Sequence, residues 1–311
     1  MVAVHERGTP APSVSGPNAA PGQAARLGLL VALILTLFRP GPLAAEPLQR
    51  LRPDPRKAST GRAARQDAVK SIPFSKLDAG ARAKVVSVLR DVSFFRRMPV
   101  QVVPCDPDLY LFLVRHPDVL VNAWQVMGVT RIALQETGPN TFHVTDPAGT
   151  KGSAEYLYSD HETQVIYSEG AYEGPLFTKP ARGRCLMVLK TGYVREPDGR
   201  YYITSRMDVF MRMESLGVDL LTKAFSPLVG KVADMNLAYT AGFFASFSRT
   251  AERNPQGVRQ LADKLFQVRP EVRQQLAQLA EQAAEKAAEL ARPDAAEQPR
   301  VASRTEEAKT Q

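Results

Sequence analysis

Six extended segments between residues 129 and 213 constrain the fold of this 311-residue chain more than any other feature. They cover 129–136, 141–145, 152–158, 162–170, 184–194 and 200–213. Short turn signals separate most of them, as in Glu196-Pro197-Asp198-Gly199, where proline fixes one turn dihedral and glycine tolerates positive φ. Because consecutive strands joined by short loops pair antiparallel, the pattern predicts one curved antiparallel meander.

Alternation within the last two segments predicts how the sheet is covered. In 200–213 one face carries apolar or small residues, namely Ile203, Ser205, Met207, Val209, Met211 and Met213. The other face carries polar residues with Phe210 as the exception, namely Thr204, Arg206, Asp208 and Arg212. This pattern is typical of a half-buried strand. In 184–194 apolar residues occupy both sets of positions, so we expect both faces of that strand to be covered.

A segment of about 40 residues with helical periodicity follows the sheet directly. Large apolar residues advance by three or four at Leu216, Leu220, Ala224, Leu228, Val232, Met235, Tyr239, Phe243 and Phe247. Ser226-Pro227 pairs a cap residue with a first-turn proline, which predicts a kink or a break. We expect this long helix to pack across the concave side of the sheet.

Helices and short strands are predicted before the meander. Ser75 and Asp78 resemble a capping box for a helix that continues to about Phe95. Residues 100–103 and 109–114 are short apolar runs that favour strands. His116-Pro117-Asp118 then opens a short helix through Trp124 and Met127.

Two helical segments are predicted after the long helix. Residues 256–268 form a short amphipathic helix whose apolar side carries Val258, Leu261, Leu265 and Phe266. Residues 271–291 are strong helix formers with a thin apolar stripe, which indicates a solvated helix or a weak self-associating coiled coil. Composition beyond Pro293 predicts disorder.

The N-terminal region carries an export pattern. The apolar run 27–38 lies between Arg26 and Arg39 and spans roughly 18 Å as a helix, short of the roughly 30 Å hydrocarbon core of a membrane. It predicts a signal peptide cleaved after Ala45 and an exported protein of the periplasm or cell envelope. An uncleaved anchor and a functionless apolar run are the alternatives.

The charge of the chain is concentrated in the same region. Residues 1–70 hold ten Lys and Arg against four acidic residues, which is +6 of the total +8. A nucleic-acid-binding domain gathers such charge on a folded face, so we expect no nucleic-acid partner. Residues 46–70 instead predict a basic flexible tether that favours an anionic membrane surface.

Catalytic and metal-binding motifs are lacking from the sequence. Asp160-His161-Glu162 point in different directions on a strand end and do not surround one metal. We therefore predict no catalytic residue, metal or cofactor. Glu155, Glu169 or Asp208 would act in an enzyme with one buried carboxylate, although the alternation makes Asp208 a surface ion-pair member. A Cys105–Cys185 disulfide stays open.

The order of strand, short helix, meander and long helix over about 100–249 resembles the helix-grip fold of the START-like superfamily of lipid-transfer and polyketide cyclase-like proteins. The residues that carry the resemblance are His116-Pro117-Asp118 before Trp124, the Glu196–Gly199 hairpin and the 216–247 stripe. The resemblance implies an α+β domain in which a curved antiparallel sheet wraps around a long C-terminal helix. The usual second short helix is not evident.

In that superfamily the long helix and the concave sheet enclose an apolar cavity. The resemblance therefore implies a pocket lined by Met187, Leu189, Ile203, Met207, Met211, Met235, Tyr239 and Phe243, with Tyr156, Tyr158 and Tyr167 at its rim. We expect a non-catalytic binding protein for a hydrophobic small molecule or lipid. The alternatives are an envelope scaffold with a solid core and a cyclase- or hydrolase-like enzyme.

These expectations divide the chain into five parts. They are a signal peptide or anchor at 1–45, the tether at 46–70, a START-like domain with its leading helix at 71–254, a helical extension at 255–292 and a disordered tail at 293–311.

Overall fold

An eight-stranded antiparallel sheet with helices on both faces makes up the part of the chain that the structure describes. The computed structural model describes residues 58–173, 180–214 and 227–291. The strands are β1 (Phe94–Arg97), β2 (Gln101–Pro104), β3 (Ala133–Gly138), β4 (Thr141–Asp146), β5 (Thr150–Ser159), β6 (Thr163–Tyr172), β7 (Ala181–Arg195) and β8 (Tyr201–Glu214). The α-helices are α1 (Arg62–Lys70), α2 (Ala79–Leu89), α3 (Pro107–Arg115), α4 (Pro117–Val126), α5 (Pro227–Arg253), α6 (Pro255–Asp263) and α7 (Pro270–Leu290), and a 3₁₀ turn covers Phe74–Lys76.

Strand order confirms the predicted fold class. The order is β1-β8-β7-β6-β5-β4-β3, and β2 pairs with β8 beside β1. Together β1 and β2 form one interrupted edge strand beside β8. Residues 208–211 of β8 pair with β1, and residues 202–205 pair with β2. The six segments of the predicted meander are β3 to β8.

The long helix α5 runs along this broken edge on the concave face. Near its start Asp234 forms an ion pair with Arg96 of β1. Farther along, the Ser248 hydroxyl accepts a hydrogen bond from the amide of Asp106 at 2.9 Å. The helix thus lies over β8 and its edge partners, and it leaves the concave face of β5 and β6 to its side.

The outer face of the sheet is covered by α1 and α2. Asp78 caps α2 by accepting a hydrogen bond from the Ala81 amide at 2.7 Å. The buried cluster between these helices and the sheet contains Ala68, Ala81, Val85, Val88, Phe95, Val165, Tyr167, Leu186, Val188 and Phe210. This cover explains why Phe210 interrupts the polar set of β8, and it confirms that both faces of β7 are covered.

Asp208 is a buried member of an ion-pair cluster on this outer face, so its predicted surface position is wrong. Arg97 donates to its two carboxylate oxygens at 2.7 and 3.0 Å, and to Asp67 of α1 at 2.8 Å. The side chain of Asp208 is 0% exposed because α1 and Arg97 cover it. The pKa of Asp67 is lowered, first by its hydrogen bond from Arg97.

The N-terminal boundary and the first helix differ from prediction. Within the predicted tether, Ser59 exchanges backbone hydrogen bonds with Arg97 and Ala68 of α1 is fully buried. Residues 46–57 lie outside the described residues. The helix predicted to reach Phe95 ends at Leu89, because Phe95 pairs with Phe210 across β1 and β8, with ring centroids 5.0 Å apart.

Residues 109–114, predicted as a strand, form most of α3. Asp106 accepts hydrogen bonds from the amides of Asp108 and Leu109 at 3.0 Å each, and Pro107 occupies the first helical position. All six residues of 109–114 are buried. Every position is therefore apolar, and the sequence shows no helical periodicity there. Because α4 follows directly, the second short helix of the fold is present.

The C-terminal extension packs onto the domain. Helix α7 contacts α3, α5 and α6, and it buries Val272, Leu276, Ala277, Ala280 and Ala283. The prediction of a solvated helix is therefore wrong, and self-association through this helix stays a prediction. Alanines make the stripe look thin, but they let the helices approach closely.

Several predicted features lie outside the described residues. They are the apolar run 27–38, the first part of the long helix before Pro227, and the tail beyond 291. Among the described helices, none combines the length and the apolar character that a membrane crossing requires.

Candidate functional site

A block of small residues lies on the concave face of β5, β6 and β7. Gly152, Gly170 and Gly183 stand opposite one another in neighbouring strands. The next concave row contains Ala154, Ser168 and Cys185 in the same alignment. The six positions span about 10 Å across the strands and about 7 Å along them. We call these six residues the small-residue floor.

Close approach of backbones requires glycine at two of these positions. A Cβ atom on Gly152 would lie 2.6 Å from the carbonyl oxygen of Glu169. A Cβ atom on Gly170 would lie 2.7 Å from the carbonyl oxygen of Lys151. The β5–β6 pair therefore carries no side chain here, which leaves backbone as the surface of the floor.

The floor is closed on one side and open on the other. Ser168, Gly183 and Cys185 are buried, whereas Gly152, Ala154 and Gly170 keep part of their exposure. On the closed side, Ala233 and Leu237 of α5 belong to the same buried cluster as Cys185, Met187 and Met211. On the other side, Ala154 is partly exposed, and its direct neighbour Phe142 of β4 is 2% exposed in the larger core.

A small cavity marks the closed side of the floor. Its lining includes Ser168, Gly170, Gly183, Cys185 and Met211. The volume is about 10 Å³, which is room for about one water molecule.

Two buried polar groups near this region have no hydrogen-bond partner. They are the side-chain amide nitrogen of Asn236 and the hydroxyl oxygen of Thr150. Asn236 shares the inner face of α5 with Ala233 and Leu237, and Thr150 shares the concave face of β5 with Gly152. Since an unpaired buried polar group costs about 1–3 kcal/mol, both are available to a bound polar group or water.

The Cys185 thiol on the floor is poorly reactive because it stays protonated. Burial raises the pKa of Cys185 to about 12, although the Ser168 hydroxyl lowers it in part. Burial also raises the pKa of Cys105, whose sulfur lies 3.8 Å from the carbonyl oxygen of Phe244 in a different cluster. Both cysteines are free, so the disulfide that the sequence left open is not formed.

Four of the predicted pocket residues come together beside the floor. Met187 and Met211 are buried in the cluster beneath α5, and Tyr156 and Met207 pack against it. The Tyr156 hydroxyl donates to the carbonyl oxygen of Val114. Leu189 and Ile203 instead belong to the larger core formed with α3, α4, α6 and α7.

The predicted residues of α5 do not face the sheet together. Met235 is 52% exposed and Tyr239 is 41% exposed, whereas Phe243 packs against Trp124 with ring centroids 5.3 Å apart. The buried face carries Ala233, Leu237, Ala241, Phe244 and Ala245. Small residues let α5 approach the core closely. The prediction that the stripe of large apolar residues forms the buried face is therefore wrong.

Two predicted rim tyrosines lie away from the concave face. The Tyr167 hydroxyl donates to Glu169 at 2.7 Å within the outer-face cluster. The Tyr158 hydroxyl accepts from Lys76 at 2.8 Å, and the ring packs against the outer-face cluster. An irregularity between Tyr156 and Tyr158 breaks the alternation of β5.

The carboxylates considered for catalysis also lie on the outer face. Glu155 pairs with Lys84 of α2, Glu169 accepts from Tyr167, and Asp208 pairs with Arg97. Asp118 of α4 is a buried acid that sequence reasoning did not select. Burial, with a smaller contribution from Glu136, raises its pKa to about 6.

The acidic turn after β5 has a structural role. Asp160 accepts hydrogen bonds from the amides of Glu162 and Thr163 at 2.9 and 2.7 Å. Across the described residues, no group of three His, Cys, Asp or Glu side chains is arranged to hold a metal ion.

Comparisons with known proteins give weak likenesses of fold. No family model matches the chain, and no curated protein matches it. Hypothetical protein jhp0584 from Helicobacter pylori is 10% identical over 48% of this chain and 89% of its own, with a TM-score of 0.31. Ara h 8.0201 is 15% identical over 46% and 97%, with a TM-score of 0.26. The di-domain ARO/CYC BexL from the BE-7585A biosynthetic pathway is 15% identical over 59% of each chain, with a TM-score of 0.30.

Strand order defines the class of this protein independently of those likenesses. A split edge strand pairs with β8, two short helices follow it, and a long helix lies on the concave face. The described part of the chain is thus an α+β domain of the helix-grip type, with two additional helices on its outer face and two at its C-terminal end.

Proposed function

We propose that this domain binds a hydrophobic small molecule or lipid on the small-residue floor, at the side of α5. The observation that supports the proposal is the floor itself: six concave-face positions carry no side chain larger than that of cysteine. Ordinary cores fill such positions with large apolar side chains. The floor remains partly exposed at Gly152, Ala154 and Gly170, where a ligand would meet a surface without protruding side chains.

The surroundings of the floor match an amphipathic ligand. An apolar body would contact the partly exposed Ala154, which lies between the buried Phe142 of β4 and the buried cluster of Met211. A polar end would satisfy the amide of Asn236 or the hydroxyl of Thr150. Since Glu155, Glu169 and Asp208 have their partners on the outer face, away from the floor, we propose binding without chemical conversion.

A second candidate function is that of an interaction protein with a solid core. It is supported by the deeper part of the concave face, where Met187, Val209 and Met211 are buried against Ala233 and Leu237. The cavity of about 10 Å³ beside them also favours this alternative.

Native mass spectrometry of the purified full chain separates the two functions. The ligand proposal expects a bound apolar molecule, which organic extraction releases and ordinary mass spectrometry weighs. A chain that carries no such molecule, and takes up none from added lipid extract, would favour the solid-core function.

We also propose that the protein is exported, on the basis of the apolar run 27–38 and its basic flanks. N-terminal sequencing of the protein from its native cells tests this. A mature chain that begins after Ala45 is the expected result, and a cytosolic chain that begins at Met1 would contradict it.

A further inference from the structure

Asp118, near the start of α4, is a fully buried acid without a hydrogen-bond partner. The residue is 0% exposed, and neither carboxylate oxygen is bonded within the described part of the chain. A protonated carboxyl group is tolerated in such a place, whereas an ionised carboxylate without a partner or water is far more costly to bury. The packing around Asp118 therefore suits the neutral acid.

The loop between α6 and α7, residues 264–269, lies against the same face of α4. Helix α6 ends at Asp263, so the last residues of the helix predicted over 256–268 belong to this loop. Asn122 lies one helical turn after Asp118, and its side-chain oxygen accepts a hydrogen bond from the Gln267 amide at 3.2 Å. Arg269 of the loop acts electrostatically on Asp118. The loop thus runs beside the buried carboxylate.

Polar contacts attach this loop only loosely. The side-chain oxygen of Gln267 is buried without a partner. Arg269 pairs with Glu136 of β3, but the Arg269 side chain is 55% exposed, so water screens the pair. Apolar burial holds the loop more firmly, since Leu265 is 0% exposed and Val268 is 4% exposed. We therefore expect the loop to open only as a minor state.

We propose that ionisation of Asp118 shifts the loop 264–269 toward this open form, in which water reaches the carboxylate. In the closed form burial, with a smaller contribution from Glu136, raises the pKa of Asp118 from 3.8 to about 6. Between these values opening releases a proton, so the open population increases as the pH rises. Acid keeps the loop closed against α4, and neutral pH loosens it. This switch is separate from the ligand proposed for the small-residue floor and does not depend on it.

The other titratable and charged groups near this acid do not produce the same dependence. Burial lowers the pKa of His116, so its proton uptake in acid favours opening, which is the opposite sign. Protonation of Glu136 in acid removes its ion pair with Arg269 and also favours opening. Burial raises the pKa of Tyr156 of β5, which stays protonated. Arg115 and Arg269 keep their charge.

Hydrogen exchange at the Gln267 amide of the full chain tests the switch. This amide is bonded to Asn122 in the closed loop, so it exchanges with deuterium when the loop opens. Its protection factor is the slowing of exchange relative to the chemical rate of a free peptide at the same pH. The amide of Val188 in the central strand β7, a residue that is 0% exposed, reports unfolding of the whole domain.

We expect the Gln267 protection factor to fall about tenfold per pH unit from about pH 4.5 to about pH 6, and to level off above that. The Val188 amide should stay better protected at every pH. In Asp118→Asn, which keeps the shape of the protonated acid, the fall should disappear. The control Asp91→Asn removes an exposed acid and should keep the fall.

Three results would overturn the proposal. The first is a Gln267 protection factor that does not fall with pH in the unchanged protein, which needs no variant to observe. The second is an equal fall in Asp118→Asn. The third is equal protection of Gln267 and Val188 at every pH, because water would then reach the acid only when the whole domain unfolds.

Discussion

Arg96 of the edge strand β1 and Asp234 of the long helix α5 form a two-contact ion pair. The Arg96 Nε donates to one carboxylate oxygen at 2.9 Å, and one Nη contacts the other oxygen. The side chains are 15% and 22% exposed, so water screens the pair only partly. Gly230 faces the same guanidinium, and its missing side chain leaves room for the contact. This pair fixes the N-terminal half of α5 at the edge of the sheet, beside the small-residue floor.

Replacing Asp234 with alanine should therefore destabilise the domain. It leaves the Arg96 guanidinium partly desolvated and unpaired, and we expect a loss of about 1–3 kcal/mol in the free energy of unfolding. Urea denaturation measures it. The control is Arg259→Ala, which breaks a more exposed pair with Glu281 and should cost under about 1 kcal/mol. Equal losses in the two variants would show that the Arg96–Asp234 pair does not hold the helix.

Asp118 should make the stability of the domain depend on pH. The folded protein holds its proton up to about pH 6, whereas the unfolded chain releases it near 3.8. Because the folded state binds more protons between these values, stability from this group falls as pH rises through them. Compared with the unchanged protein, Asp118→Asn should raise the free energy of unfolding by about 1–3 kcal/mol above pH 6. At the acidic end of the range it should not change it.

Urea denaturation of both proteins at a series of pH values gives this difference directly. The control Asp91→Asn removes an exposed carboxylate at the end of α2 and shows the effect of losing any acid. A difference between Asp118→Asn and the unchanged protein that stays constant with pH would contradict the assignment.

Helix α7 should contribute to the stability of the domain, since it is docked rather than solvated. Leu276 is 0% exposed among the helices. Its replacement by alanine should lower the free energy of unfolding by about 2–4 kcal/mol. Leu290 on the same helix is 47% exposed, so Leu290→Ala should cost about 1 kcal/mol or less. Thermal and urea unfolding compare the two. Similar small losses would indicate that α7 does not pack on α3 and α5.

Both cysteines should be unreactive in the folded protein. The thiolate is the reactive form, and burial raises the pKa of Cys185 to about 12 and that of Cys105 as well. An aromatic disulfide reagent should label neither thiol in native buffer and both in guanidinium. In guanidinium the reagent should label one thiol in Cys105→Ser and one thiol in Cys185→Ser. A native chain that yields no free thiol after unfolding would show a disulfide and contradict the arrangement.

The meander was predictable because its turns have local chemistry. Asn140, Gly149 and Gly199 adopt positive φ in three of the turns between successive strands, and Gly199 belongs to the turn named in the sequence analysis. Each turn fixes where one strand ends and the next begins, and alternation then predicts which residues share a face. The sheet therefore follows from local rules.

Elements buried on all sides were not predictable in the same way. Residues 109–114 are apolar at every position, so their periodicity does not distinguish a buried strand from the helix that Asp106 caps. In α5 the large apolar residues lie partly in solvent, and alanines such as Ala233 and Ala241 face the core. Close packing, which the sequence does not display, decides both cases.

The small-residue floor could be recognised only after strand register was known. Gly152, Gly170 and Gly183 are far apart in the chain, and each alone resembles a turn or a bulge. Pairing across β5, β6 and β7 aligns them into one row. The predicted site emphasised large residues such as Met235 and Tyr239, whereas the surface proposed here for a ligand is made of small residues.

Filling the floor tests the proposed function most directly. Ala154→Phe places a large ring on the open side of the floor, and Ser153→Phe places the same ring on the opposite face of β5 as a matched control. Binding of the apolar dye anilinonaphthalene sulfonate is measured by fluorescence, with urea denaturation of each variant as a check on folding. We predict that Ala154→Phe weakens dye binding by at least about tenfold while Ser153→Phe leaves it unchanged. Equal dye binding by two folded variants would contradict a ligand site on the small-residue floor.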